Sequence, residues 1–248
     1  MRKRTDKRAA SAQLDFEDHR RSEALKEHGG WRPGAGRKKK RGRRRMPHLP
    51  RPALASRFPV HVTVRIGADV PRLRNFKRCK VLRAALVRTC SKPGFRICQF
   101  SVQRNHIHLV CEAKNGEALA RGVQGFEVSA ARRLNALSGR RGSVFDDRYH
   151  AEILRSPNQV RNALAYVLNN ARKHGEVLRG STPDLLSSAW HFDGWQDDGW
   201  RRGLAPPVGP RCVAPAKTWL LGEGWQTFGL LAVDELPGAL GARSRRRA

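Results

Sequence analysis

Acidic residues are scarce in this sequence. The 248 residues include 21 Asp and Glu against 50 Lys and Arg, a net charge of +29. An excess of that size exceeds what a membrane-surface preference needs and points to nucleic acid as the partner. The five cysteines (79, 90, 98, 111, 212) form no C-x-x-C pair. They supply neither a zinc framework nor the disulfide lattice of a small secreted domain, so a reducing cytoplasm is expected. No apolar run approaches the roughly 20 residues of a membrane span. The charged N-terminus lacks the apolar stretch of a signal peptide. Tyrosine is rare as well: Tyr149 and Tyr166 are the only two. Any chemistry that needs a phenol therefore has two candidates. No internal repeat is apparent.

Basic residues are abundant, and they concentrate first in an arm over residues 1–57. Its block Arg37, Lys38, Lys39, Lys40, Arg41, Arg43, Arg44 and Arg45 is almost unbroken cation. Such a run repels itself and is expected to be disordered without a polyanion. Gly30 to Arg37, with Arg32-Pro33 and Gly36-Arg37, suits a narrow DNA minor groove, as in AT-hook-like arms, or else a solvated linker. Arg32 joins the block as a candidate DNA contact. Residues 176–248 are different again. They hold five of the six tryptophans and many prolines, and end in a basic tail. They read as an irregular extension packed on a core.

Between these lies a patterned block, expected to be ordered from about Pro59. Residues 60–66 alternate and are β-branched, a strand. His61 in it reads as an exposed strand histidine. A helix is predicted from Pro71 to before Pro93, with Leu73, Phe76, Val81, Leu82, Ala85 and Leu86 at helical spacing. Residues 95–102 and 106–112 form two strands of a hairpin around Gln103-Arg104-Asn105. A second amphipathic helix runs over 117–137, a fourth strand falls within 144–154, and a third helix spans 157 to about 173 behind Ser156-Pro157. The order βαββαβα predicts an α+β domain over 58–175. This is the ferredoxin-like or RRM-like plan, a four-stranded antiparallel sheet with helices on one face.

One stretch organises this block: Asn105-His106-Ile107-His108-Leu109-Val110. Side chains alternate along a strand, so His106 and His108 share one face while Ile107 and Leu109 enter a core. Paired imidazoles on a rigid strand are half of a divalent-metal site. On the third helix Tyr166, Asn170 and His174 stand four residues apart and share a face. Asn170 could add an amide oxygen to the metal, with His174 as a weaker alternative. Tyr166 could present its hydroxyl to a phosphate. Phenol has a pKa of about 10, so it needs a cation's help to attack.

The His106-Ile107-His108 motif resembles the HUH motif of single-tyrosine transposases. With Val144-Phe145-Asp146-Asp147-Arg148-Tyr149 and then Tyr166 with Asn170, the 59–175 block is similar to the insertion-sequence-200-like transposase domain, especially its REP-associated tyrosine branch. The resemblance implies His106 and His108 as metal ligands for Mg²⁺ or Mn²⁺, with Tyr166 as nucleophile. It further implies a 5′-phosphotyrosine on single-stranded DNA, without ATP. Asn170 matches a polar position that relatives often fill with Gln, and Ala171 follows it where the branch commonly has Pro. Arg148 matches an Arg of an Arg-Tyr pair with a structural or DNA-facing role. Tyr149 is the alternative nucleophile. The expected partner is hairpin-forming single-stranded DNA, with no membrane and no nucleotide cofactor. The protein would be a monomer or homodimer in a bacterial cytoplasm, near the nucleoid. The competing reading is a non-catalytic, domesticated nucleic-acid-binding protein on the same fold. RRM-type sheets stack bases on aromatics, and here histidines stand in their place.

Overall fold

The computed structural model describes residues 51–173 and 182–236, except 203, 206 and 208. The chain divides into two units, Met1–Arg44 and Arg45–Ala248, and every described residue belongs to the second. The cationic block and His174 lie outside the described residues.

The architecture is α+β. Strand β1 (Val60–Arg65) leads to helix α1 (Phe76–Thr89), a two-residue strand β2 (Ser91–Lys92), β3 (Phe95–Val102) and β4 (His106–Ala113). Helix α2 (Gly116–Ser138), β5 (His150–Ile153) and α3 (Pro157–Lys173) follow, and a short helix α4 (Trp219–Gly222) lies in the C-terminal segment. The sheet runs β2-β3-β4-β1-β5, and every neighbouring pair is antiparallel. Four of these strands make the expected ferredoxin-like order. The fifth, β2, arises because the chain doubles back at Gly94, whose φ of 73° a residue with a Cβ rarely adopts.

Local chemistry explains the helix boundaries. Helix α1 begins at Phe76, five residues after Pro71, because Asn75 caps it: the Asn75 side-chain oxygen accepts from the N–H groups of Lys77 and Arg78. Pro71 instead lies in a loop pinned to the β3–β4 turn, where the Leu73 N–H donates to the Arg104 carbonyl. Helix α2 is capped by Asn115 and stops at Gly139, which takes the left-handed conformation (φ 60°). Gly122 lets α2 press on the sheet, since an added Cβ would fall 2.2 Å from the Phe95 ring.

Two cores lie on opposite faces of the sheet. One is formed by Val60, Val62, Val64, Ile97, Phe100, Ile107 and Leu109 with α1 and α2. The other is formed by Cys98 and Val110 with α3 and the C-terminal segment, including Trp195, Leu220 and Trp225. Helices therefore cover both faces, not one. The reason is α3's own apolar stripe of Val160, Leu164, Val167 and Leu168, which needs a partner that α1 and α2 already occupy elsewhere.

Order also begins before Pro59. The Arg51 guanidinium donates to the Tyr149 carbonyl and stacks 3.4 Å from its ring centroid, and Leu54 packs against the first core. Residues 51–57 thus belong with the sheet, and the arm expected over 1–57 is shorter at that end.

The C-terminal segment is tied down by buried polar contacts. Glu112 of β4 accepts from Arg96, from the Lys217 and Thr218 N–H groups and from the Thr218 hydroxyl. Arg161 of α3 forks onto Glu235 and also donates to the Gly229 and Leu230 carbonyls. Asn169 donates to the Ala232 and Glu235 carbonyls. Charged donors and acceptors satisfied this fully fix the register of an otherwise irregular chain.

Candidate active site

Strand alternation decides which face carries the chemistry. Ile107, Leu109 and Cys111 enter the first core, so His106 and His108 stand on the α3 face beside Val110. The antiparallel register sets Thr63 opposite His108 and His61 opposite Val110, which puts both β1 side chains on that face too. Tyr166 of α3 closes the group. Its ring meets His108 edge-on at 5.1 Å and His61 at 5.8 Å between centroids.

The imidazoles form a chain. His106 Nδ1 lies 2.8 Å from Asn105 Oδ1, an acceptor, so the proton of His106 sits on Nδ1 and its Nε2 carries the lone pair. That Nε2 is 2.9 Å from His108 Nε2. His108 Nδ1 in turn lies 3.1 Å from Thr63 Oγ1 and 3.1 Å from His61 Nε2. Thr63 and His61 can each donate or accept. When they donate, His108 passes its Nε2–H to His106. When they accept, His108 holds its proton on Nδ1, and two lone pairs converge on one point.

That second state fits a divalent cation. Nitrogen ligands about 2.1 Å from an ion, at right angles, stand about 3.0 Å apart. Among the described residues no three His, Cys, Asp or Glu side chains form a group able to hold a metal ion. A further donor has to come from another residue type, and Asn170 is available. It is 0 % exposed, on the face of α3 that carries Tyr166, and neither of its amide atoms has a hydrogen-bond partner. A buried amide left unpaired costs about 1–3 kcal/mol, and a helix tolerates that where the amide has a task.

His61 is the residue that sequence reading placed wrongly. It is half-buried and bonded to His108, not an exposed strand histidine. Burial pushes its pKa down to about 4, with His150 and then His106 adding like-charge repulsion. It is therefore neutral at pH 7. The signal for it is the two-residue spacing of His61 and Thr63, which joins the face of His108 only once β1 is paired with β4.

The other candidates lie elsewhere. Tyr149 immediately precedes β5 and is buried in the first core, across the sheet from the histidines. Its hydroxyl is buried without a partner, and burial raises its pKa despite Arg51. Arg148 is exposed beside it, its N–H held by Asp147. Arg32 and residues 37–45, like His174, fall outside the described residues. No helix among the described residues is long and apolar enough to cross a membrane.

Comparison with known proteins then bears on this geometry. Residues 59–170 match the family described as "Transposase IS200 like". Among solved structures, a REP-associated tyrosine transposase bound to a REP hairpin is 19 % identical, with a TM-score of 0.43, over 53 % of this chain and 76 % of that one. A Deinococcus radiodurans R1 protein assigned as a transposase is 15 % identical, with a TM-score of 0.30, over 46 % of this chain and 85 % of that one. A search of curated proteins found no match. The family match begins just before β1 and ends at Asn170, taking in both histidines and the α3 tyrosine, and so residues 59–170 are a domain of the IS200-like transposase family.

Proposed function

We propose that this protein cleaves and rejoins single-stranded DNA through Tyr166, at sites that form hairpins. The observation that carries this reading is the convergence of His106, His108 and Tyr166 on one face, with the buried, unpaired Asn170 amide one turn after Tyr166 on the same helix. His106, His108 and Asn170 would hold Mg²⁺ or Mn²⁺. A divalent cation bound there supplies charge neutralisation at a phosphate oxygen.

Tyr166 does the covalent work. Its edge contacts with His108 and His61 fix the ring, which removes rotational freedom before reaction. The phenolic oxygen attacks phosphorus, a Tyr–O–P bond forms, and the P–O3′ bond breaks. The departing 3′ oxygen takes a proton, and the 5′ side stays on the enzyme. One phosphodiester replaces another, so rejoining by the reverse attack of a 3′-hydroxyl needs no ATP. The basic arm, with Arg32 and the block from Arg37 to Arg45, holds flanking DNA by phosphate contacts. Arg148 is a further DNA contact.

The non-catalytic alternative keeps DNA binding and forms no covalent bond. Cleavage of labelled single-stranded hairpin DNA, resolved on a denaturing gel with Mn²⁺ and with EDTA, separates the two. Wild type should cut with Mn²⁺ and stop in EDTA. His106→Ala and His108→Ala should not cut although they still bind DNA. Cutting by either variant in chelator would refute the metal's part, and no cutting by wild type would favour the binding-only reading.

A further inference from the structure

Apart from the edge contact of His61 with the Tyr166 ring, the residues that hold the far side of His108 have no part in the chemistry above. His61 and Thr63 both reach Nδ1 of this one imidazole, from the neighbouring strand, at 3.1 Å each. On His106 the corresponding nitrogen, Nδ1, faces a local side chain, that of Asn105. The asymmetry matters because Asn105 Oδ1 only accepts, whereas both partners of His108 can donate or accept. His106 is thus committed to presenting Nε2. His108 is not, and in the state where it donates Nε2–H to His106 it has no lone pair for a cation.

We propose that His61 and Thr63 are positioning residues that make His108 a ligand. By accepting its Nδ1–H they commit Nε2 to the cation, and by bonding from two directions they fix the plane of the ring. Either acceptor suffices for the proton, and the two together set the orientation. This rests on the reading of His106 and His108 as ligands. His61 does not ligate the same ion, since it bonds to the nitrogen that faces away from His106. Partners of this kind orient metal-binding histidines generally, and losing them weakens metal affinity by about 10–100-fold.

The test is Mn²⁺ binding to the full chain, followed by loss of the free aqua-ion signal in electron paramagnetic resonance. The comparison is between wild type, Thr63→Val, His61→Leu, His61→Leu/Thr63→Val, His61→Met/Thr63→Val and His61→Gln/Thr63→Val. Each single variant should weaken binding only a few-fold, because one acceptor remains. Both double variants without an acceptor should weaken it by about 10–100-fold, and a packing failure in one leaves the other to decide. His61→Gln/Thr63→Val returns an amide oxygen near the lost nitrogen and should bind within about threefold of wild type, a rescue that a purely steric role for His61 would not produce. Wild type that binds, with folded acceptor-free variants that bind as tightly, would overturn the proposal alone. Wild type that binds no Mn²⁺ would remove it together with the reading on which it rests.

Discussion

Asn170→Leu exchanges the two amide atoms for two methyl groups on the same branched frame. Asn170 is 0 % exposed, and its oxygen and nitrogen are both buried without a hydrogen-bond partner. Leaving such a group unpaired costs about 1–3 kcal/mol, and apolar replacement of the same shape recovers much of that. Leu adds a few tenths of a kcal/mol through its better helix propensity. At about 2–4 °C per kcal/mol for a domain of this size, Tm should rise by about 2–10 °C. Mn²⁺ affinity and strand cleavage should fall in the same variant. Differential scanning calorimetry and a Mn²⁺ titration measure the two effects on one preparation. A gain in stability with lost function marks an amide kept for its task at the expense of the fold. A fall in Tm of more than a few degrees would show that the amide is satisfied in solution, and unchanged Mn²⁺ binding would show that it is no ligand.

Three further outcomes follow from other parts of the structure. Burial raises the Glu127 carboxyl to about 7, against the attraction of Arg51, and its Oε1 is buried without a partner. The folded state therefore keeps a proton that the unfolded state releases near its ordinary value of 4.5, and this contribution to stability is lost as pH rises from about 4.5 to about 7. Because the side chain keeps some solvent contact, Glu127→Gln should gain only about 1–2 kcal/mol at pH 8 and nothing at pH 4, by urea unfolding; equal effects at both pH values would contradict the linkage. Deleting residues 1–50 removes 17 Lys and Arg and 6 Asp and Glu. It should flatten the dependence of DNA affinity on salt, by up to about 0.7 in log–log slope per lost phosphate contact on single strands, and leave Tm unchanged; an unchanged slope would show that the arm does not touch DNA. Trp225→Ala should cost about 3–5 kcal/mol in equilibrium unfolding, since the ring is 2 % exposed and an added Cβ on Gly194 would fall 2.3 Å from it. A loss under about 1 kcal/mol would mean that the C-terminal segment contributes little to the second core.

Much of this was legible from periodicity. The alternation in residues 95–102 and the Ser156-Pro157 signal located β3 and α3 at the bounds the structure has. The His106-Ile107-His108 spacing put both imidazoles on one face because a strand leaves no other choice. What stayed hidden depends on pairing across sequence distance. His61 looks exposed until β1 is laid against β4, when Thr63 falls opposite His108. The second face of the sheet was hidden for a similar reason. The stripe on α3 shows that the helix is amphipathic, but its partners include Trp225 and Leu231, which lie in a segment with no period to read. Arg51 carried the opposite lesson. It sits in a basic stretch that composition assigns to a solvated arm, yet a single ring, Tyr149, holds it to the core.

In the proposed reaction Tyr166 becomes covalently attached to DNA. The direct measurement is mass spectrometry of the protein after incubation with Mn²⁺ and single-stranded hairpin DNA from the flanks of its own gene, with nuclease trimming and peptide mapping. Wild type should carry a nucleotide on the peptide that contains Tyr166. Tyr166→Phe, which deletes one hydroxyl and keeps the ring, should bind the same DNA and carry none. Tyr149→Phe should still carry the adduct on Tyr166, because its ring lies across the sheet from the histidines. An adduct that persists in Tyr166→Phe and is lost in Tyr149→Phe would contradict the account.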